Sequence, residues 1–469
     1  MSRRALLALP LALAACSDRP SFDVEDIRRA TLGAGLPPGF LLGTATSSHQ
    51  IEGGTTNDWS AWEQGTYPDG RLHIHDGSVS GDAADAWKRF DVDVGLMRNL
   101  GANAYRFSLE WSRLQPARGE WDTAALARYR EQAHRLREQG ITPLVTLHHF
   151  TLPTWVADAG GWENPATLDD FEAYVTRVAE ALGADVDWWC TVNEPNVLAV
   201  FGYLDGVWPP GKKDAKAMAT ALSHLIEAHA RAARQLRARD TVDADGDGHA
   251  TRVGLAHHVR IFQPATGSTA DVTAAGLTDA FFNESVPLAL RTGRIRLSVP
   301  GKVSIDREVA DLKGSSDYLG INYYSRDYVR QDFSEASLSN QYVPDGRPVS
   351  DLGWDVYPEG LYLFLRRFRD LGIPLLVTEN GMADAEGHRR PDYLRSHVYA
   401  VEQAVKEGVD VRGYFHWSLM DNFEWAEGYT PRFGLFRVDF ASPDKARAPT
   451  PAVEGFQDIA RKLGLTPQP

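Results

Sequence analysis

Short apolar runs with strand character alternate along this chain with helically spaced segments, and that alternation constrains the fold more than any other feature of it. The runs are Phe40 to Gly43, Ala104 to Phe107, Pro143 to Leu147, Trp188 to Val192, Val253 to Ala256, Tyr318 to Ile321, Leu375 to Val377 and Val411 to Phe415. Between them, Ala83, Trp87, Phe90, Val94 and Met97 recur at steps of four and three, as do Phe171, Val175, Val178 and Leu182. Each such segment lays one apolar face on a sheet. Strands that are each followed by a helix or a long loop predict an α/β fold, a single-domain (β/α)8 TIM barrel. A doubly wound sheet usually has fewer strands and a dinucleotide glycine motif after the first; none follows Gly43. A length of 469 residues suits one barrel with insertions.

Composition narrows the class of partner. With 43% hydrophobic and 24% charged residues the bulk of the chain is an ordinary globular protein with a large core. The excess of 63 Asp and Glu over 49 Lys and Arg gives a net charge of -14, which repels phosphate backbones and anionic lipid headgroups, so no nucleic-acid partner is expected. Oligomeric state is not legible.

The N-terminus reads as an export signal. Arg3 and Arg4 precede the uncharged stretch Ala5 to Ala15, which is too short to span a bilayer. Leu13, Ala14, Ala15 and Cys16 resemble the bacterial lipobox, in which the cysteine is lipidated and becomes the new N-terminus; a plain cleaved signal peptide is the alternative. The expected organisation is a signal over residues 1–16, a flexible tether over 17–38 rich in Pro and Gly, and a catalytic domain over 39–465. On this reading the protein is exported, and its only membrane association is a lipid anchor in the bacterial envelope, periplasmic or at the cell surface. Acylation of Cys16 would leave Cys190 as the sole thiol, so no intrachain disulfide is expected.

In a parallel barrel the residues just past the strand ends gather at one mouth. Here they include Arg106, His148, His149, Asn193, Glu194, His257, His258, Asn322, Tyr324, Glu379, Asn380, His416 and Trp417. Placing carboxylates beside Asn, His and Arg costs desolvation that a purely structural barrel has no reason to bear. Glycoside cleavage with retention needs two carboxyl groups roughly 5 to 5.5 Å apart, one ionised to attack and one protonated to release the leaving group. Glu194 in TVNEP, after the fourth strand, and Glu379 in VTENG, after the seventh, could face each other in this way. Arg106 is expected to hold Glu379 ionised, and repulsion from Glu379 to keep Glu194 protonated. Asn193 could donate to the sugar 2-hydroxyl.

These blocks resemble glycoside hydrolase family 1, the β-glucosidase and β-galactosidase family, from Phe40 to about Phe456. FLLGTATSSHQIEGG is similar to the family's N-terminal signature, which implies that Gln50 grips the sugar 3- and 4-hydroxyls. NAYRFSLEWSRLQP implies the supporting arginine at Arg106, TVNEP the acid/base at Glu194 and VTENG the nucleophile at Glu379. GINYY implies Asn322 and Tyr324 beside the nucleophile, and WSLMDNFEWAEGY a sugar platform from Trp417, Glu424 and Trp425 with contacts to the 4- and 6-hydroxyls. Trp354 in GWDVYP matches a position that stacks on the aglycone. The resemblance implies a retaining exo-β-glycosidase, glucosidase-like and open to galactosides and fucosides, with a transglycosylase acting on a lipid or alcohol acceptor as the alternative. A catalytically silent sugar-binding barrel would lack one or both carboxylates, and both are present. The carboxylate at Glu424 disfavours 6-phosphorylated sugars.

One block departs from the pattern. Where most members read HWDLP this chain reads HFTLP, so Phe150 lacks the indole N–H that would bond the 3-hydroxyl, while His149 remains for that contact. His257, His258 and His148 lack metal-ligand spacing and read as satisfied or solvated histidines, so no catalytic metal or other cofactor is expected. Asp243, Asp245 and Asp247 before Gly248 match the first half of a calcium loop, but its twelfth position is Gly254. An acidic surface turn is the expected reading there, with a structural calcium as the alternative.

Overall fold

A computed structural model of the chain describes residues 21–299, 301–332 and 339–468. Eight parallel strands form the barrel: β1 (Leu41–Ala45), β2 (Ala104–Ser108), β3 (Thr142–His148), β4 (Trp188–Asn193), β5 (Arg252–Pro264), β6 (Tyr318–Gln331), β7 (Leu375–Asn380) and β8 (Val411–Trp417). Neighbours in sequence pair in order, β8 pairs β1, and β6 pairs β7 through Leu375–Leu319 and Val377–Ile321, which leaves the barrel without an open edge. All the expected strands are present.

Alternation along the strands sorts the core into two layers. Ala104, Leu144, Cys190, Ala256 and Tyr318 fill the barrel interior. Their strand neighbours Tyr105, Val145, Trp189, Leu255 and Leu319 face outward into the layer between strands and helices. Phe171, Val175, Val178 and Leu182 are fully buried on the helix Ala166–Leu182, as their spacing predicts. The helix carrying Trp87 to Met97 starts only at Ala86, because Ala83 and Asp85 adopt left-handed φ values of 46° and 53° that a right-handed helix cannot include.

Two expectations are corrected. The fifth and sixth strands do not stop at Ala256 and Ile321 but run on as a two-stranded arm as far as the pair Pro264–Val329, past the barrel mouth. Its polar side chains disguise it as loop, and they are paired: Arg260 with Asp327 at 2.8 Å, Arg326 with Asp355 at 2.7 Å. The flexible tether is the second correction, since the described part of residues 17–38 is packed on the barrel. Val24–Arg29 is a helix capped by Asp23, Phe22 sits edge-on to Tyr362 and Tyr399, and Leu32 and Leu36 are buried. Gly33, at φ 94°, gives its N–H to Glu402 at 2.5 Å and lies so close to the Ile459 carbonyl that a side chain would collide with it. Glycine here serves close approach rather than slack. The signal stretch and Cys16 lie outside the described residues. Among the described residues no helix is long and apolar enough to cross a membrane.

Candidate active site

The two carboxyls predicted at the mouth line one cavity of about 880 Å³. Glu379 is the penultimate residue of β7, in backbone register with Asn322 of β6. Its Oε1 accepts from Arg106 Nη1 at 2.5 Å and its Oε2 from the Tyr324 hydroxyl at 2.7 Å. Arg106 is itself locked inside the barrel, donating to Thr146 Oγ1 at 3.1 Å and to Asn193 Oδ1 at 2.7 Å. A buried guanidinium held on three sides cannot swing away from its carboxylate.

Glu194 follows β4 as the left-handed residue, φ 43°, that turns the chain into the helix Pro195–Leu198. Its Oε1 accepts from Asn322 Nδ2 at 2.8 Å and lies 2.9 Å from His258 Nδ1. Thr378 Oγ1 donates to Asn322 Oδ1 at 2.6 Å and so fixes which way that amide points. Asn322, in register with Glu379 as the resemblance implied, therefore also serves Glu194. His258, expected to be satisfied or solvated, is a direct partner of a catalytic candidate. Its short side-chain partner lies 64 residues away in sequence, so nothing local signals it.

The protonation of the pair differs from expectation. Burial pushes the Glu379 carboxyl up to about 7, against the pull of the Arg106 charge and with the Glu194 charge adding to the rise. At Glu194 burial is outweighed by the charge of His258 and the donors of His258 and Asn322, which set that carboxyl below its usual value. Repulsion between the carboxyls is thus not the sole control. Arg106, by contrast, keeps its charge at every working pH. Two carboxyls in one cavity titrate as a pair, and the fixed cation beside Glu379 favours its ionised form and leaves the shared proton on Glu194.

The sugar-binding candidates surround this pair. Gln50, on the short helix Ser48–Ile51 after β1, is oriented by Ser47 Oγ donating to its Oε1 at 2.6 Å, and its amide nitrogen reaches the Phe423 carbonyl at 2.9 Å beside Glu424. Asn193 donates one amide hydrogen to His149 Nε2 at 3.1 Å, which places the His149 proton on Nδ1, a buried atom with no hydrogen-bond partner. Burial holds His149 well below the usual histidine value, with Arg106 adding to the effect, so the ring stays neutral. Trp417 and Trp425 both stack with it, with ring centroids at 5.8 and 6.1 Å. Enclosure and the charge of Glu379 push Glu424 up to about 8, making it a hydrogen-bond donor near neutrality. Phe150 offers no donor; its ring is edge-on to Trp425 at 5.1 Å. Trp354 stands at the far side, against Tyr324 and Phe433.

The remaining polar candidates do not join the site. His257 is 3.0 Å from the Asn283 carbonyl, and His148 accepts from Trp162. The acidic triplet is divided: Asp247 pairs with Arg252 at 2.5 Å, while Asp243 and Asp245 lie near Asp187. Asp243 accepts from the backbone of Gly246, Asp247 and Gly248, and Asp187 from that of Ala244 and Asp245. These backbone bonds close the turn, and carboxylate oxygens of Asp187, Asp243 and Asp245 lie within 4.8 Å of one another.

A closed parallel barrel with two differently partnered carboxyls and a cluster of aromatic rings at its C-terminal mouth is the construction of a retaining glycoside hydrolase. The chain belongs to glycosyl hydrolase family 1, whose model matches residues 33–465. It is 33% identical to a β-galactosidase of Pyrococcus woesei, over 92% of this chain and 98% of that protein. It is 34% identical to β-glucosidase A of Thermotoga maritima, over 87% of this chain and 94% of that one. Among solved structures, a β-glycosidase from Pyrococcus horikoshii superposes with a TM-score of 0.81 at 36% identity, covering 91% of this chain and 95% of that one. The enzyme is a retaining glycosidase that hydrolyses by double displacement.

Proposed function

We propose that the enzyme removes a terminal β-linked glucosyl, galactosyl or fucosyl unit, with Glu379 as nucleophile and Glu194 as acid and then base. The observation that carries this is the asymmetry of the pair: Glu379 is bound by a permanent cation and Tyr324, Glu194 by an amide and an imidazole. In the first step Glu379 attacks the anomeric carbon while the Glu194 proton passes to the departing glycosidic oxygen. Esterification of Glu379 removes its negative charge from the cavity, which lowers the proton affinity of Glu194. Glu194 then takes a proton from water as that water attacks the same carbon from the side the leaving group vacated, and the ester bond breaks to return Glu379 as a carboxylate. No cofactor enters either step.

Glu424 and Gln50 place the 4- and 6-hydroxyls in this reading. Glu424→Ala should lower kcat/KM for an aryl β-glucoside by roughly 10- to 100-fold, the worth of one or two hydrogen bonds. The same change should cost an aryl β-fucoside less, because fucose has no 6-hydroxyl. Equal losses on both sugars would remove Glu424 from the 6-position.

His258 acts here as a positioning residue for Glu194. The charged or titratable groups that act on Glu194 include His258, Glu379, Arg106, Tyr324, His257 and Glu424. The first step needs Glu194 protonated, and His258 depresses its proton affinity. His258→Phe should therefore move the basic limb of the kcat/KM profile to higher pH, with His258→Asn moving it in the same direction while keeping a donor. An unmoved limb in both variants would mean that the contact is structural only.

A further inference from the structure

We infer that Glu110 is a positioning residue, whose buried carboxylate holds the strained turn after β3 and with it the angle at which His149 faces the sugar; this rests on the glycosidase reading above. The strain lies at Phe150. Its φ of 72° is left-handed, a region a bulky side chain rarely occupies, and the Thr151 N–H donates to the His149 carbonyl at 3.0 Å to close a three-residue turn around it. Such a turn persists only where its surroundings hold it. The Phe150 ring packs on Trp208 and Trp425, with centroids at 4.9 and 5.1 Å, which leaves the polar end of the turn to be held by other groups. His149 opens the turn, so relaxation at Phe150 swings an imidazole that lines the same cavity as Glu194 and Glu379. Two carboxylates that take no part in the reaction hold the other end. Thr151 Oγ1 donates to Glu110, 3.2 Å from Oε2 and 3.3 Å from Oε1. The Leu152 N–H donates to Asp58 Oδ1 at 2.8 Å, and the Asp58 N–H returns to the Leu152 carbonyl at 3.0 Å.

Glu110 is the hub of this arrangement. It is fully buried, and its oxygens also accept from Ser112 Oγ at 2.7 Å, Ser48 Oγ at 3.1 Å and Asn57 Nδ2 at 3.3 Å. All four side-chain donors are neutral. Stripping a carboxylate of water for neutral partners is costly, and an apolar side chain would fill a purely structural position at less cost. The donors come from four segments around the mouth: Ser48 begins the short helix that carries Gln50, Asn57 caps the helix Asp58–Trp62, Ser112 follows β2, and Thr151 leads back to His149. Glu110 thus ties Gln50 and His149, both of which the resemblance assigns to the sugar 3-hydroxyl, to one fixed point. The HFTLP block agrees with this. An Asp at the Thr151 position, as in HWDLP, would set a second carboxylate against Glu110, whereas the threonine supplies a donor.

The test uses the full chain with an aryl β-glucoside and its analogues lacking the 2-, 3-, 4- or 6-hydroxyl in turn. Thr151→Val removes the donor to Glu110 and keeps the branched shape. It should lower kcat/KM on the parent glucoside roughly tenfold, the worth of one hydrogen bond lost from the sugar, and on the 3-deoxy analogue by less than about twofold. Glu110→Gln should give the same pattern, and Thr151→Ser, which returns the hydroxyl, should recover the loss to within about twofold. A general loosening of the fold would instead lower all the substrates alike. Should Glu110→Gln fail to fold, Thr151→Val and its serine counterpart decide the matter alone. Equal losses across the panel, or no loss on the parent glucoside with Thr151→Val, overturn the positioning role while leaving the glycosidase standing. Failure of the wild type to turn over any glucoside in the panel overturns both.

Discussion

Glu379→Gln should reduce kcat/KM for an aryl β-glucoside by at least about 10⁴-fold, because the attacking oxygen pair becomes an amide that cannot form the glycosyl ester. The substitution is close in shape, and the new amide oxygen can still accept from Arg106 Nη1, which now stands 2.5 Å from the carboxylate. Some stability should nevertheless be lost, since Arg106 is buried and gives up its counter-charge. Thermal melting beside the assay separates the two effects: a folded variant with no turnover is the expected pair of results. Residual activity within about tenfold of the wild type would remove Glu379 from the nucleophile's role.

Glu194→Ala should fail in a different way, governed by the leaving group. An alkyl glycoside needs a proton on the departing oxygen and should lose roughly 10²- to 10⁴-fold, the usual worth of general acid catalysis. A dinitrophenyl glycoside departs without that proton, so its glycosyl-enzyme should still form and then accumulate for want of a base. Azide, small enough for the space left by the side chain, should restore turnover and yield the β-glycosyl azide. The same loss with both leaving groups, with no rescue by azide, would show that Glu194 only shapes the site.

Much of the fold was legible because it is written in short-range pattern. Each barrel strand is a brief apolar run, and the helices between repeat at three and four residues, so the count of eight and the closure follow. The active-site carboxyls were legible for the same reason: residues after parallel strands must share a rim. What stayed hidden depends on partners remote in sequence. The arm of β5 and β6 carries Arg260, Arg326 and Asp327, charges that look like loop until their ion pairs are seen. Gly33 and Gly35 looked like slack and are instead the close approach to Glu402. His258 looked inert because its partner, Glu194, lies on another strand. The acidic turn recruits Asp187 from the start of β4, which no local spacing reveals.

Covalent capture tests the division of labour between the two carboxyls most directly. A 2-deoxy-2-fluoro-β-glucoside with a dinitrophenyl leaving group should slow both steps but the second more, so that the protein gains the mass of one fluorosugar. Proteolysis and mass spectrometry should then find the sugar as an ester on Glu379, in the peptide that contains VTENG. An ester on Glu194, or release of the α-anomer as first product with no adduct at all, would contradict the assignment.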